Sequence, residues 1–212
     1  MVQLVARRIR PTRGRNYRSK ISRSKSLRII HTESLLERDY VRIANFDSKV
    51  SKIFFQPVGI RFHYKGRRRR YFPDFLIVTT DGQHFLIEVK LTKYVNTNLN
   101  KAKFEAARLL CLEKKWTFHV ITEEQIRIGY LQSNLKLLLE VKAHKTTPAV
   151  TEFIKTVLTY YGPQSVAELL KQCEIVESSM MMLNLHKLIY AHEVKAEVVK
   201  ERLSQKSYVW VV

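Results

Sequence analysis

Apolar and polar positions along the first two thirds of the chain switch repeatedly between the period of a helix and that of a strand, and the switches mark the elements. "HTESLLERDYVRIANF" sets Leu36, Tyr40, Ile43 and Ala44 on one stripe. With Thr32 or Ser34 as its cap, it predicts a helix of about three to four turns. "VSKIFFQPVGIRFHY" is rich in β-branched and aromatic residues and is interrupted at Pro57, so it predicts one bent strand or two short ones. "RYFPDFLIVTTDGQHFLIEVK" reads as strand, turn at "TDG", strand. An amphipathic helix, "NTNLNKAKFEAARLLCLEKK", a buried strand, "WTFHVIT", and a shorter helix beginning near Glu123 follow. This order predicts an α/β core with a mixed sheet. From Thr147 the pattern becomes three helices, "TPAVTEFIKTVLTYYG", "PQSVAELLKQC" and "VESSMMMLNLHKLIYAHEV", then two strand-like pieces, "AEVVKE" and "SYVWVV". Three short helices and a terminal hairpin predict a small winged-helix domain over 147–212, its third helix, Val176 to Val194, in the recognition position.

The two strands on either side of "TDG" look built for a core, yet they carry Asp74, Glu88 and Lys90. If Thr80, Asp81 and Gly82 form a three-residue loop with Gly82 left-handed, Asp74 lies opposite Glu88. A two-residue loop would turn Asp74 away. The chemistry favours the first register, which puts Asp74, Leu76 and Val78 on one face with Leu86, Glu88 and Lys90, and Phe75, Ile77, Ile87 and Val89 on the other. Two neighbouring carboxylates repel unless a proton or cation separates them, and a hard divalent cation with oxygen ligands is the usual solution. Lys90 could orient water or a phosphate oxygen, or act as a base if the site depresses its pKa. Such a set suits metal-assisted phosphodiester hydrolysis. The simpler alternative is a cross-strand ion pair worth up to about 1 kcal/mol. Glu37, on the first helix with Tyr40, Val41 and Ala44, is the candidate third acid, although Ser34 to Glu37 also matches a capping box. Glu33, one turn earlier, is the other choice.

Charge adds a partner to this picture. Over 212 residues, 38 Lys and Arg against 19 Asp and Glu give a net charge of +19, enough to draw in a polyanion, with nucleic acid ahead of an anionic membrane. Residues 1–32 hold no acid and ten basic side chains: Arg7, Arg8, Arg10, Arg13, Arg15, Arg18, Lys20, Arg23, Lys25 and Arg28. Residues 1–30 are therefore read as a basic arm that orders on phosphate. "HYKGRRRRYF" supplies a second cluster, Lys65, Arg67, Arg68, Arg69 and Arg70. From Thr147 onward seven Lys or Arg meet seven Glu, which points that segment toward protein rather than phosphate. No apolar run approaches the roughly 20 residues of a membrane span, and no secretory h-region opens the chain, so a soluble, intracellular protein is expected. Cys111 and Cys173 form no metal-ligand pattern and are read as reduced thiols. His63, His84 and His119 stand isolated on strands and read as packing or phosphate-contact residues.

An acid-bearing helix (Glu37), then "PD" (Asp74), then "EVK" (Glu88 and Lys90), then a helix and a strand, resembles the PD-(D/E)xK nuclease superfamily. More narrowly, "ESLLERDYVRIANFDSKVSKIFFQPV", "YFPDFLI" and "FLIEVK" resemble TnsA, the endonuclease subunit of heteromeric transposases, over roughly residues 30–125. The resemblance implies a restriction-endonuclease-like core over 31–146, with Glu37, Asp74 and Lys90 catalytic and Mg²⁺ or Mn²⁺ as cofactor. Glu88 falls where some members carry glutamine and adds a carboxylate to the metal set. It also implies cleavage of the 5′ strands at transposon ends in double-stranded DNA. The implied partners are a DDE-type transposase subunit and an AAA+ regulator, in the nucleoid-associated cytoplasm of a bacterium. A free-standing restriction or repair nuclease, and a DNA-binding adaptor without cleavage, are the other readings.

Overall fold

The computed structural model describes residues 30–211, with the strand Ser19–Ile21 and Lys25 ahead of them. Arg7, Arg8, Arg10, Arg13, Arg15 and Arg18 lie outside the described residues. The backbone divides into two compact units, 1–126 and 127–212.

In the first unit, β1 (Ser19–Ile21) pairs antiparallel with β2 (Ile30–Thr32). Lys25 is tied to the domain as well: its carbonyl accepts from Ile53 N at 2.9 Å, and its ammonium donates to the carbonyls of Ala44 and Asp47. Part of the basic arm is thus docked rather than free along its length. Helix α1 (Leu35–Phe46) starts at Ser34, whose hydroxyl accepts from Glu37 N. It is followed by β3 (Val50–Phe55), β4 (Ile60–Tyr64), β5 (Arg67–Tyr71), β6 (Phe75–Thr79) and β7 (His84–Val89). Next come α2 (Thr92–Val95), α3 (Asn98–Lys114), β8 (Thr117–Ile121) and α4 (Glu123–Ile126).

The main sheet has the order β3-β6-β7-β8, antiparallel except for the β7–β8 pair. Pairs such as Phe75 with Ile87 and Leu76 with Leu86 realise the three-residue-loop register, and Gly82 sits at φ +84°, the left-handed position that a side chain would strain. Each face is buried. Phe75, Ile77, Ile87 and Val89 pack under Leu36, Val41 and Ala44 of α1, while Leu76 and Leu86 pack with Ala107 and Cys111 of α3 and with Ile60, Phe62 and Tyr71. Burial of each such large side chain contributes about 1.5–3 kcal/mol. One expectation is corrected. β8 is an edge strand whose residues are all exposed or half-buried, because one side of the sheet ends there. Within the basic run, Lys65 (φ 50°) and Gly66 (φ 70°) close a tight hairpin that makes Arg67–Tyr71 a strand.

The second unit runs α5 (Leu131–Glu140), a 3₁₀ turn (Val141–Ala143), α6 (Pro148–Tyr161), β9 (Gln164–Ser165), α7 (Val166–Lys171), α8 (Ser178–Tyr190), β10 (Val194–Ala196) and β11 (Tyr208–Val211). Its antiparallel sheet has the order β10-β11-β9. The unit begins twenty residues before the expected boundary at 146/147 because of Asn134 in α5. That buried amide donates to the carbonyls of Val198 (2.9 Å) and Glu201 (2.7 Å) and accepts from Leu203 N (3.0 Å). These bonds, with the Glu197 carboxylate accepting from Val199 N and Lys200 N, also explain why "AEVVKE" is mostly a loop: its backbone groups are used locally. Gly129, at φ +48°, admits the Val199 carbonyl so closely that a Cβ there would lie 2.2 Å from it. Among the described residues no helix is long and apolar enough to cross a membrane.

Replacing Asn134 by alanine leaves three backbone groups, the carbonyls of Val198 and Glu201 and the N–H of Leu203, without their side-chain partner. The expected loss is about 2–3 kcal/mol in the stability of the second unit, measured by urea melts that follow Trp210 in a Trp116→Phe background.

Candidate active site

Pro73 is buried and offers no amide hydrogen, so the chain enters β6 extended and the ladder begins only at Phe75. Asp74 is held just ahead of it from two sides. Its carbonyl accepts from Gln56 N at 2.8 Å, and its Oδ2 accepts from Val89 N at 2.8 Å, which turns the carboxylate toward the end of β7. Gln56 takes a left-handed φ of 42°, uncommon outside glycine and disfavoured before a proline, and its buried Oε1 finds no hydrogen-bond partner among the described residues. Such strain is retained where the surrounding structure over-determines it.

Glu88 is buried on β7 with both oxygens engaged. The Tyr71 hydroxyl donates to Oε2 at 2.7 Å, and the Lys90 ammonium meets Oε1 at 2.8 Å. Lys90, just past β7, is fixed by its own N–H to the Ile121 carbonyl at 3.0 Å. From α1, Glu37 closes its capping box: its Oε2 accepts from Glu33 N (2.8 Å), its Oε1 from the Ser34 hydroxyl (2.9 Å), and its N–H donates to Ser34 Oγ (3.1 Å). Capping and proximity to the site are therefore compatible roles, because Glu37 is buried and interacts electrostatically with both Asp74 and Lys90.

The cluster of three acids and one ammonium carries an excess of negative charge in a poorly hydrated place. Burial, then the charges of Glu88 and Glu37, push the Asp74 carboxyl well above its ordinary range, against the Val89 N–H and Lys90. Burial likewise raises the Glu37 carboxyl, partly offset by its bonds to Glu33 and Ser34. Burial disfavours the Lys90 ammonium, but Glu88, Asp74 and Glu37 outweigh it and hold its pKa above the ordinary value. Of the two roles open to Lys90, orienting water or a phosphate oxygen and acting as a base through a depressed pKa, this raised pKa favours the first. Two groups here escaped sequence reading. Tyr71 pins Glu88, and Lys103 of α3 places its ammonium 5.5 Å from the Tyr71 ring centroid.

Beside the site stands the β4–β5 hairpin, with Arg61 directly opposite Arg70 and His63 opposite Arg68. Between Ile60 and Tyr71 there is no acid, and among the described residues no carboxylate pairs with Arg61, Lys65 or Arg67–Arg70. Like charges facing each other across a ladder destabilise it. His84 and His119 are packing residues, stacked on Trp116 and Phe85 respectively.

Residues 47–123 match the family model described as the TnsA-like endonuclease N-terminal domain. This segment of the first unit is similar to a TnsA-like endonuclease domain. Asp74, Glu88, Lys90, Tyr71 and Lys103 fall inside the matched segment, and Glu37 lies before its start. The mixed four-stranded sheet with helices on both faces is consistent with a restriction-endonuclease-like core. No curated protein matches the chain.

The electrostatics of the TnsA-like site set the sign of one measurement. An unfolded aspartate titrates near 3.8 and the folded Asp74 higher, so between the two the folded protein binds more protons and loses stability as pH rises. In EDTA, Asp74→Asn is expected to melt above the wild type at neutral pH, with the gap closing toward pH 3.8. A purely structural ion pair predicts the reverse order.

Proposed function

We propose that this protein is a metal-dependent DNA endonuclease subunit of a heteromeric transposase, cutting the 5′ strands at transposon ends. The observation that carries this reading is the juxtaposition of Asp74, Glu88 and Lys90 at one end of β6 and β7, inside a TnsA-like endonuclease domain. The unneutralised arginine hairpin beside them supports duplex DNA as the substrate.

The donor chemistry fits a hard divalent cation, Mg²⁺ or Mn²⁺: all three acids supply oxygen, and the cluster's excess negative charge calls for a counter-charge. Asp74 offers Oδ1, which carries no hydrogen bond among the described residues, while both oxygens of Glu88 and of Glu37 are engaged. Among the described residues no three His, Cys, Asp or Glu form a ready-made cation cage. A cation that takes one or two carboxylates and completes its shell with substrate phosphate and water suits that arrangement. Asp74 and Glu88 are the residues assigned to hold it, with Glu37 closing the acidic side. When bound, such an ion polarises the phosphate and lowers the pKa of a bound water. Lys90, kept charged by its neighbours, orients a phosphate oxygen or the attacking water. Tyr71 holds Glu88 in place, and the Val89 N–H does the same for Asp74. The engaged state of Glu88 and Glu37 is also what a non-cleaving adaptor would present, and metal binding decides between the two readings.

Calorimetric Mn²⁺ titration with a non-hydrolysable duplex should show binding by the wild type and none by Asp74→Ala or Glu88→Ala. In cleavage assays with all transposase subunits present, either substitution should cost at least about 10²-fold in rate. Equal binding by all three proteins would refute the metal site.

The second unit is read as a winged helix that docks the transposase partners. Its helix, short strand, two helices and hairpin support the first part. Its near-balanced charge and its exposed Tyr160 (80%), Tyr161 (63%) and Ile175 (100%) support the second. Substituting serine at Tyr160 and Tyr161 should weaken pull-down of the DDE-type transposase subunit about tenfold or more, with DNA affinity unchanged in salt-matched titrations.

A further inference from the structure

The β4–β5 hairpin has two sides, and only one leads to the carboxylates. Strand alternation puts Ile60, Phe62 and Tyr64 with their partners Tyr71, Arg69 and Arg67 on the side that packs against α3. Arg61 and His63 share the other side with Arg70 and Arg68. On that other side the Arg70 guanidinium is committed to packing. It lies 4.7 Å from the Phe72 ring centroid and so close to Gly59 that a Cβ there would meet it at 2.6 Å.

The α3 side is different. Arg69 lies over the Tyr64 ring at 5.5 Å, and one strand period further on Tyr71 turns inward to bond Glu88. Against the face of that same Tyr71 stands Lys103, half-buried on α3 on the stripe of Ala107 and Cys111. Its ammonium makes no hydrogen bond or ion pair among the described residues. It interacts electrostatically with Lys90, Glu88, Asp74 and Arg69. Burial and Lys90 both disfavour its charge, so the site keeps an unpaired cation where apolar packing alone would have suited a leucine or methionine. Alternate residues of a strand are about 6.7 Å apart, close to two axial steps of about 3.4 Å each along one strand of a duplex, the separation of a phosphate from the next but one. Arg67, Arg69 and Lys103 thus form a row that ends at the acids.

We propose that the DNA backbone runs along the α3 side of the β4–β5 hairpin, over Arg67 and Arg69, and that Lys103 contacts the substrate phosphate beside the carboxylate cluster. The inference rests on the DNA-cleaving reading above and specifies how the substrate lies in that site. Arg61, on the other side, adds only to the long-range field.

The competing role for Lys103 is cover: its methylene stem shields Tyr71 and its charge is incidental. Lys103→Met keeps the stem and removes the charge, and Lys103→Arg keeps a charge. Affinity for a fluorescein-labelled duplex is read by anisotropy across a salt series in EDTA, so that no cleavage or metal enters. Lys103→Met, Arg67→Ala and Arg69→Ala are each expected to flatten the log–log salt slope by about 0.9. Lys103→Arg should restore it, and Arg61→Ala should leave it at the wild-type value. A wild-type slope for Lys103→Met overturns the proposal, as does an equal flattening by Arg61→Ala. Because binding is read without metal, failure to cleave under any condition would remove the nuclease reading and leave this slope pattern intact. A normal nuclease with an unchanged Lys103→Met slope would do the opposite.

Discussion

The buried carboxylate of Glu88 is the fixed point around which the first unit is arranged. A charge in that position is tolerable only with partners on both oxygens, and Tyr71 and Lys90 supply them from different elements. Tyr71 is the last residue of β5, so its bond to Glu88 ties the basic hairpin to the main sheet. Lys90 takes its backbone bond from β8, which ties the same carboxylate to the edge of that sheet. The hairpin, the parallel β7–β8 pair and the carboxylate cluster are thereby locked into one geometry by a single side chain.

The register of β6 and β7 follows from the same constraint. Both faces of the pair are buried, so a one-residue slip would bring Glu88 to the α1 face and Phe75 or Ile87 to the acidic end. Gly82 permits the loop, but the cost of misplacing a buried charge selects it. That is why the register was readable from sequence: alternation of apolar residues and the placement of two acids gave the same answer. The order of helix, antiparallel strands, helix and strand was legible for the same reason, since each segment carried one clear period. Glu37 was legible as both cap and inward-facing acid, and it is both.

What escaped the sequence were features set by pairs of distant residues. The run Arg67–Arg70 has no apolar alternation of its own, and its strand exists because Tyr64 to Arg67 closes a tight turn and because Tyr71 anchors the far end. β8 read as buried from composition alone, but its position at the sheet edge is a property of topology. The early start of the second unit turns on one amide, Asn134, reaching residues more than sixty positions away. Lys103 did leave a trace, a charged residue on the stripe that also holds Ala107 and Cys111. Without the hairpin in place nothing indicated which ring it would stand against.

The strained backbone at Gln56 belongs to the same logic. A left-handed residue before a proline costs on the order of 1–3 kcal/mol, and the relaxed alternative would move its N–H away from the Asp74 carbonyl. Asp74 is then held by backbone at both ends, through Gln56 N and Val89 N, instead of by a cationic side chain. A cationic partner on Asp74 would neutralise the carboxylate and lower its raised pKa. Backbone donors position it while leaving most of its charge uncompensated. The fold spends stability at Gln56 and in the mutual repulsion of Asp74, Glu88 and Glu37 to keep an acidic centre that is placed but not neutralised.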